Sequence, residues 1–277
     1  MKKYTNLIYQ GSDNRSSLYD LFLVDDSKDQ ALVVFMHGYT GYKDWGCWNL
    51  MGDAIANNGY SFAKFTITHS ATTVERPTEF VDLDAFGNGG YLKELRDLQY
   101  FLDHLEKTHG FKKFILVGHS RGGGAVILSG NDERVKQIHC LAPISDIASR
   151  FPKGEKMEEW KKTGVYFHKN SRTGTELPHY FCQYEDFLAH QEELTIEIAA
   201  KKLQKPVFVY HGSDDTSVEP WEGKLVAEWT NGTYYNIEGT AHTFDTKEPW
   251  TENEMPETFA KVVQMIVTTI SNQINPF

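Results

Sequence analysis

Ser120 lies in a segment whose composition suits nucleophilic catalysis. Residues 118–122 read Gly-His-Ser-Arg-Gly, directly after the apolar run 114–117 and before small residues that can begin a helix packed on a sheet. A strand, a tight turn and a helix in this order expose a serine oxygen above the sheet, and the flanking glycines relieve steric clashes. A serine hydroxyl is a poor nucleophile until a base takes its proton. The segment therefore predicts a nucleophile at Ser120 and a base nearby.

His242 is the histidine best placed to be that base. The chain contains 11 histidines, and this one lies in a Gly-Thr-Ala-His-Thr-Phe segment just after the predicted strand 233–237. Loops that follow the carboxyl ends of parallel strands share one edge of the sheet. The loop of His242 and the turn of Ser120 should therefore meet at that edge.

A third residue, an acid, must hold the imidazole in the correct tautomer and stabilise its cation. Residues 211–218 read His-Gly-Ser-Asp-Asp-Thr-Ser-Val and follow the predicted strand 207–210, so they offer Asp214 and Asp215. The resulting order of serine, acid and histidine is the order used on the α/β-hydrolase fold. Asp146, which follows the strand before that one, is the alternative acid.

The tetrahedral intermediate of acyl transfer needs preorganised hydrogen-bond donors for its oxyanion. One donor should be the backbone N–H of Arg121, directly after the nucleophile. The other should come from residues 37–41, His-Gly-Tyr-Thr-Gly, where the glycines let the backbone approach a ligand closely. We assign this second donor to the backbone N–H of Tyr39.

Alternating strands and helices should position these loops. Apolar or β-branched runs predict strands at 31–36, 61–68, 114–117, 137–141, 207–210 and 233–237. Helices are predicted at 48–58, 91–109, 121–129 and 220–229, and near the C-terminus, where Phe259, Val263, Ile266 and Ile270 share one face. Segments 4–10 and 16–24 should form an antiparallel hairpin at one edge. This order predicts one α/β domain over 1–277, with a mostly parallel sheet and helices on both of its faces.

Residues 146–204 interrupt the alternation. They show no clear strand and are rich in charged and aromatic residues. A connection of this length is usually functional, so we predict an inserted cap or lid. Its aromatic residues are candidates for an apolar wall over the nucleophile or for anchors of the insertion: Trp160, Tyr166, Phe167, Phe181, Tyr184 and Phe187.

Composition excludes several classes of function. The formal charge of −10 disfavours nucleic acid and anionic membranes as partners. No segment has the 18 or so apolar residues of a spanning helix, and no signal-peptide core follows the first residues. The chain has three cysteines, which are widely spaced and form no Cys-x-x-Cys pair. This favours a reducing, cytoplasmic location. Neither metal-ligand spacing nor a phosphate-binding glycine motif is present, so we expect no cofactor.

The four segments together resemble the serine α/β-hydrolases, most closely the branch of cinnamoyl (feruloyl) esterases, small carboxylesterases and serine aminopeptidase-like hydrolases. The resemblance covers most of the chain, with 146–204 in the place of that branch's cap. It implies that the acid is Asp215 rather than Asp214, and it again indicates Tyr39 as an oxyanion donor. One departure is Thr240-Ala241 before His242, where such proteins often carry a second glycine.

The resulting prediction is a cofactor-free hydrolase of small carboxylic esters, with aryl-acyl or short-chain acyl groups, acting through an acyl-enzyme on Ser120. An aminopeptidase-type serine peptidase is the first alternative, because it shares the triad and needs an acidic pocket for the substrate amine. Acids of the predicted cap could supply that pocket: Glu155, Glu158, Glu159, Glu176, Glu185 and Asp186. A binding protein without catalysis is the second alternative, although such proteins tend to lose a triad residue.

Overall fold

Strands and helices alternate along the chain in this computed structural model, which describes residues 1–24 and 30–274. The strands are β1 (Lys2–Gln10), β2 (Ser16–Leu23), β3 (Leu32–Met36), β4 (Phe62–Phe65), β5 (Phe114–His119), β6 (Val135–Leu141), β7 (Val165–Lys169), β8 (Glu176–Tyr180), β9 (Val207–Gly212) and β10 (Thr233–Ile237). The helices are α1 (Trp48–Asn57), α2 (Leu83–Gly87), α3 (Tyr91–His109), α4 (Arg121–Leu128), α5 (Glu155–Thr163), α6 (Cys182–Ala189), α7 (Ile196–Lys202), α8 (Pro220–Trp229) and α9 (Glu257–Ile274).

Eight of these strands form one sheet in the order β1-β2-β4-β3-β5-β6-β9-β10. The six strands from β4 to β10 in this order are mutually parallel, whereas β1 and β2 pair antiparallel with each other and β2 pairs antiparallel with β4. The predicted mostly parallel sheet is therefore confirmed, as is the antiparallel hairpin at its edge.

Both faces of the sheet are covered by helices. Alternate residues of the central strands point to opposite faces, so each strand contributes side chains to two separate apolar clusters. Val33 and Phe35 of β3 face α1 and α9, which contribute apolar side chains such as Met51 and Ile266. Val34 and Met36 face the other side, where α3, α4, α7 and α8 pack. Continuously apolar strands such as β3 and β5 are what burial on both faces requires.

Most predicted elements are found within a few residues of their expected bounds, but β4 is shorter than the predicted strand 61–68. The insertion also differs from expectation, because it contains the two-stranded antiparallel sheet β7-β8, with Val165 opposite Tyr180. The prediction of no strand there was wrong because β7 is largely exposed, so its sequence carries no buried pattern, and β8 contains Pro178. The short helix α2, which packs against Tyr180, was not predicted either.

The C-terminal part of the predicted cap segment packs against the main sheet-and-helix body. Its last helix, α7, buries Ile196 and Ala200 in the same apolar cluster as α4. Its earlier part, from α5 to α6, lies over the carboxyl ends of the strands, where Tyr166 and Gln183 border the cavity that also contains Ser120. In the part of the chain that the structure describes, no helix combines the length and apolar character needed to cross a bilayer.

Candidate active site

Ser120 occupies a strained turn between β5 and α4. Its φ of 57° lies in the left-handed region that non-glycine residues rarely adopt. Its backbone N–H donates to Leu141 O at 2.8 Å, which ties the turn to the neighbouring strand β6. A Cβ at Gly122 would lie 2.5 Å from His37 O, so only glycine allows α4 to begin this close to the end of β3. This strand, tight turn and helix is the local arrangement in which the α/β-hydrolase fold places a nucleophilic serine.

His242 and Asp215 come from the loops after β10 and β9 and meet beside this turn. His242 Nδ1 lies 2.7 Å from Asp215 Oδ2. The Asp215 side chain is fully buried, and its Oδ1 accepts the backbone N–H groups of Ser217 and Val218 at 2.8 and 3.0 Å. Burial alone would raise the pKa of this carboxyl, but hydrogen bonds from His211 and His242 hold the pKa well below its usual range. Asp215 is therefore an anion that keeps a proton on His242 Nδ1 and leaves Nε2 as an acceptor.

The two other candidate acids are engaged elsewhere. Asp214 is exposed and accepts a hydrogen bond from the hydroxyl of Ser213 at 2.7 Å. Asp146 is exposed and accepts the backbone N–H groups of Ala148 and Ser149, at 2.9 and 3.1 Å, at the start of a helical turn. Of the three acids considered from the sequence, Asp215 is the one that contacts His242.

The loop after β3 passes directly against the nucleophile. A Cβ at Gly38 would lie 2.9 Å from Ser120 Cβ, which shows how closely the two backbones approach. Tyr39 follows in this loop, as the predicted donor should. Arg121 is the first residue of α4, so its backbone N–H has no acceptor within the helix. Both N–H groups assigned to the oxyanion from the sequence thus belong to segments that adjoin Ser120.

Two buried histidines support these loops, and sequence reasoning assigned them no role. His37 Nε2 accepts the Ile67 backbone N–H at 3.2 Å, so Nδ1 carries the proton and donates to Gly38 O at 2.8 Å. His119 Nε2 donates to His242 O at 2.9 Å. Burial lowers the pKa of His37 to about 4 and that of His119 to about 3, so both rings are neutral anchors. Their positions at the ends of β3 and β5 were the available signal.

Two cavities adjoin Ser120 and His242. The larger pocket, of about 420 Å³, lies under the insertion. Its lining consists of Tyr39, Tyr91, Ser120, Arg121, Ile144, Arg150, Phe151, Tyr166, His168, His179, Gln183, Ser217, Val218 and His242. The smaller pocket, of about 110 Å³, also borders Ser120 and His242 and includes Trp45 and Trp48. Ser120 thus borders two spaces, each of which could hold one part of a bound molecule.

The predicted aromatic wall is only partly present. Of the six aromatic residues named from the sequence, Tyr166 alone lines the larger pocket; Trp160 is buried behind it, and Phe167 is 58% exposed. Phe151, from the same insertion, and Tyr91 of α3 complete the aromatic surface. None of the six acids considered for an amine-binding site is among the described residues that line this pocket.

A hydrogen-bonded chain fixes the side of the larger pocket nearest the loop after β3. The amide nitrogen of Gln183 donates to the carbonyls of Phe86 and Gly87, so its oxygen must accept from His179 Nδ1 at 3.1 Å. The other ring nitrogen, Nε2, then accepts the hydroxyl proton of Tyr39 at 2.8 Å. Burial lowers the pKa of His179 to about 4, in agreement with a neutral ring. Sequence analysis missed this chain because its contacts with Tyr39 and with the carbonyls of Phe86 and Gly87 each join residues more than 90 positions apart.

Solved structures share this architecture, although no family model and no curated protein sequence matches the chain. Est1E from Butyrivibrio proteoclasticus with ferulic acid bound superposes with a TM-score of 0.73 at 17% identity, over 97% of this chain and 99% of that one. An esterase domain from a Rhodothermus marinus protein gives a TM-score of 0.66 at 16% identity, over 97% and 98%. Puromycin hydrolase gives 0.66 at 15% identity, over 98% of this chain and 39% of that chain.

These likenesses extend over 97 to 98% of this chain. Identities of 15 to 17% indicate a common fold but do not indicate a common substrate or role. The chain has the α/β-hydrolase fold.

Proposed function

We propose that this protein is a serine hydrolase that cleaves carboxylic esters through an acyl-enzyme on Ser120. The observation that carries the proposal is the 2.7 Å contact between His242 Nδ1 and the buried Asp215 carboxylate, beside a serine held at a φ of 57°. A buried anion fixed on one nitrogen of an imidazole leaves the other nitrogen ready to accept a proton. This is the arrangement that converts a serine hydroxyl into a nucleophile.

The reaction follows from these positions. His242 Nε2 takes the proton of Ser120 Oγ as the oxygen attacks the ester carbonyl, and the backbone N–H groups of Tyr39 and Arg121 stabilise the oxyanion. Collapse of the tetrahedral intermediate breaks the bond to the alcohol, which leaves with the proton from His242. A water molecule then attacks the acyl-enzyme, again with His242 as base, and releases the acid and free Ser120. No cofactor is needed for either half-reaction.

The larger pocket favours esters over peptides. An aminopeptidase must hold a protonated amine, and the lining residues include two arginines and no carboxylate among those that the structure describes. The aromatic side chains of Tyr91, Phe151 and Tyr166 offer a surface for an aryl or alkyl acyl group. Ferulic acid bound to the structurally similar Est1E, and the esterase domain of similar fold, support the same class of substrate.

The test compares an alkyl ester, such as methyl hydroxycinnamate, with an aminoacyl p-nitroanilide. We expect kcat/KM for the ester to exceed that for the anilide by at least about 100-fold, about 2.7 kcal/mol in transition-state stabilisation. An alkyl ester is used because activated aryl esters react readily with any triad. Equal rates would support the peptidase instead, and no turnover of any ester or anilide would support a binding protein. A cytoplasmic location remains part of the proposal.

A further inference from the structure

Arg121 presents unused hydrogen-bond donors to the larger pocket. Its side chain is only 10% exposed, and its Cζ lies 3.5 Å from the centroid of the Tyr91 ring, so the guanidinium is stacked on that ring. Its Nε donates to Glu94 Oε2 at 2.7 Å. Within residues 1–24 and 30–274, the two terminal nitrogens have no hydrogen-bond partner. The guanidinium is therefore fixed through Nε, and its terminal nitrogens Nη1 and Nη2 are left to donate to a ligand.

Arg150 is a second cation of the same pocket with donors to spare. Its Nη2 donates to both carboxylate oxygens of Glu222, which also accepts the backbone N–H of Ser145 at 2.9 Å. The Nε of Arg150 is buried and has no hydrogen-bond partner among the residues that the structure describes. A ligand cannot reach this buried atom, so Arg150 acts on the pocket through its positive charge and through its other terminal nitrogen, Nη1.

The two arginines border one aromatic surface. Arg121 stacks on Tyr91, and Tyr91 contacts Phe151 with ring centroids 5.8 Å apart. Phe151 follows Arg150 in the chain and lines the larger pocket with it. A ligand group lying on this surface is therefore within the field of both cations.

The larger pocket is lined by two cations and, among the described residues, by no carboxylate, although each cation is ion-paired with a buried glutamate. The chain carries a formal charge of −10, whereas the larger pocket is lined by two guanidinium groups. The glutamates that hold them, Glu94 and Glu222, are both buried and lie outside the set of residues that lines this pocket. A guanidinium edge with two parallel N–H donors matches a carboxylate, which it binds through two hydrogen bonds.

We propose that the larger pocket recognises a carboxylate, so that the substrate is an ester carrying a free carboxylate on the part that lies there. Arg121 supplies the paired donors, Arg150 supplies a second positive charge, and Tyr91 and Phe151 contact the carbon chain or ring that joins the carboxylate to the ester. This inference rests on the proposed ester hydrolysis.

Matched substrate pairs test the proposal on each side of the ester bond. For the acyl side, p-nitrophenyl monoesters of glutaric, adipic and pimelic acid are compared with p-nitrophenyl esters of the monocarboxylic acids one carbon longer. For the alcohol side, 4-carboxyphenyl butyrate is compared with 4-carbamoylphenyl butyrate. We expect the anionic member to have at least about 10-fold higher kcat/KM in one series, and that series identifies the part of the substrate in the larger pocket.

Variants assign the preference to the arginines. Arg121→Met keeps an unbranched side chain without the guanidinium and its charge and should reduce the anionic-to-neutral ratio of kcat/KM about 10-fold, with a smaller reduction in Arg150→Met. Lys107→Met is the matched control, because Lys107 is exposed near the end of α3, at the edge where the strands begin. It removes one positive charge and should keep the wild-type ratio.

If Arg121→Met does not fold, the proposal can still be tested by inhibiting the ester hydrolysis of the wild-type protein. Benzoate should inhibit hydrolysis of a neutral ester with a Ki at least about 10-fold lower than that of benzamide. A ratio near one in both substrate series, or a preference that survives in folded Arg121→Met, would overturn the carboxylate proposal while leaving ester hydrolysis in place. Failure to hydrolyse any ester would instead reject the proposed function.

Discussion

Replacement of Asp215 with asparagine tests whether this carboxylate orients His242. Asp215 Oδ1 accepts two backbone N–H groups, from Ser217 and Val218, whereas Oδ2 accepts His242 Nδ1. An asparagine at this position must place its carbonyl oxygen on the two backbone donors, so its NH₂ group faces the imidazole. The ring then has to accept at Nδ1 and carry its proton on Nε2, which is the wrong tautomer for removing the proton of Ser120.

The expected loss is large because both the tautomer and the stabilising charge are removed. In a serine protease with this triad the same exchange lowers kcat on the order of 10⁴-fold, about 5.4 kcal/mol in the barrier. We expect a comparable loss in Asp215→Asn, measured as steady-state hydrolysis of p-nitrophenyl butyrate. Circular dichroism should show an unchanged fold, since asparagine keeps the shape of the side chain.

Two neighbouring acids provide matched controls. Asp214→Asn removes only the acceptor of the exposed Ser213 hydroxyl, and Asp146→Asn weakens an exposed helical turn, so each should retain nearly wild-type kcat. A larger loss in Asp214→Asn than in Asp215→Asn would refute the assignment made from the hydrogen bonds. A dominant loss in Asp146→Asn would move the acid to the loop after β6.

Two further predictions concern packing and pH. Gly38→Ala should lower kcat/KM by at least about 100-fold with the fold retained. The new Cβ would lie 2.9 Å from Ser120 Cβ and would displace the nucleophile. Near-normal turnover would contradict the close approach of the two backbones. Burial lowers the pKa of His139 to about 3, so unfolding lets this ring gain a proton, and this ring alone lowers the free energy of unfolding by about 1.4 kcal/mol per pH unit as the pH falls from about 6.5 to about 3. In urea unfolding across acid pH, His139→Gln should reduce the slope of stability against pH by about this amount, whereas His190→Gln, at a 42% exposed side chain, should leave the slope unchanged.

The sheet could be predicted because its strands are apolar throughout and its turns are rich in glycine. The nucleophile turn was visible in the sequence since only small residues fit between β5 and α4, as Gly122 shows against His37 O. The chain order then led to His242 and to the pair Asp214 and Asp215, and the family resemblance favoured Asp215. These features depend on local sequence and on the rule that loops after parallel strands share one edge.

The insertion could not be predicted to the same depth. Its strands β7 and β8 pair mainly with each other, so β7 is largely exposed and lacks a buried pattern. Its pocket residues depend on tertiary contacts: His179 reaches Tyr39 across 140 positions, and Tyr91 enters the site from α3. The aromatic residues of the insertion were correctly noticed, but their orientation follows from packing, which buried Trp160 and exposed Phe167.

Labelling with a fluorophosphonate tests the central claim most directly, because only an activated serine attacks phosphorus quickly. The intact mass of the wild-type protein should increase by one adduct, and peptide mapping should place that adduct on Ser120. Ser120→Ala should stay unlabelled under the same conditions. Absence of labelling in the wild type, or an adduct that persists in Ser120→Ala, would contradict the assignment of Ser120, His242 and Asp215 as a catalytic triad.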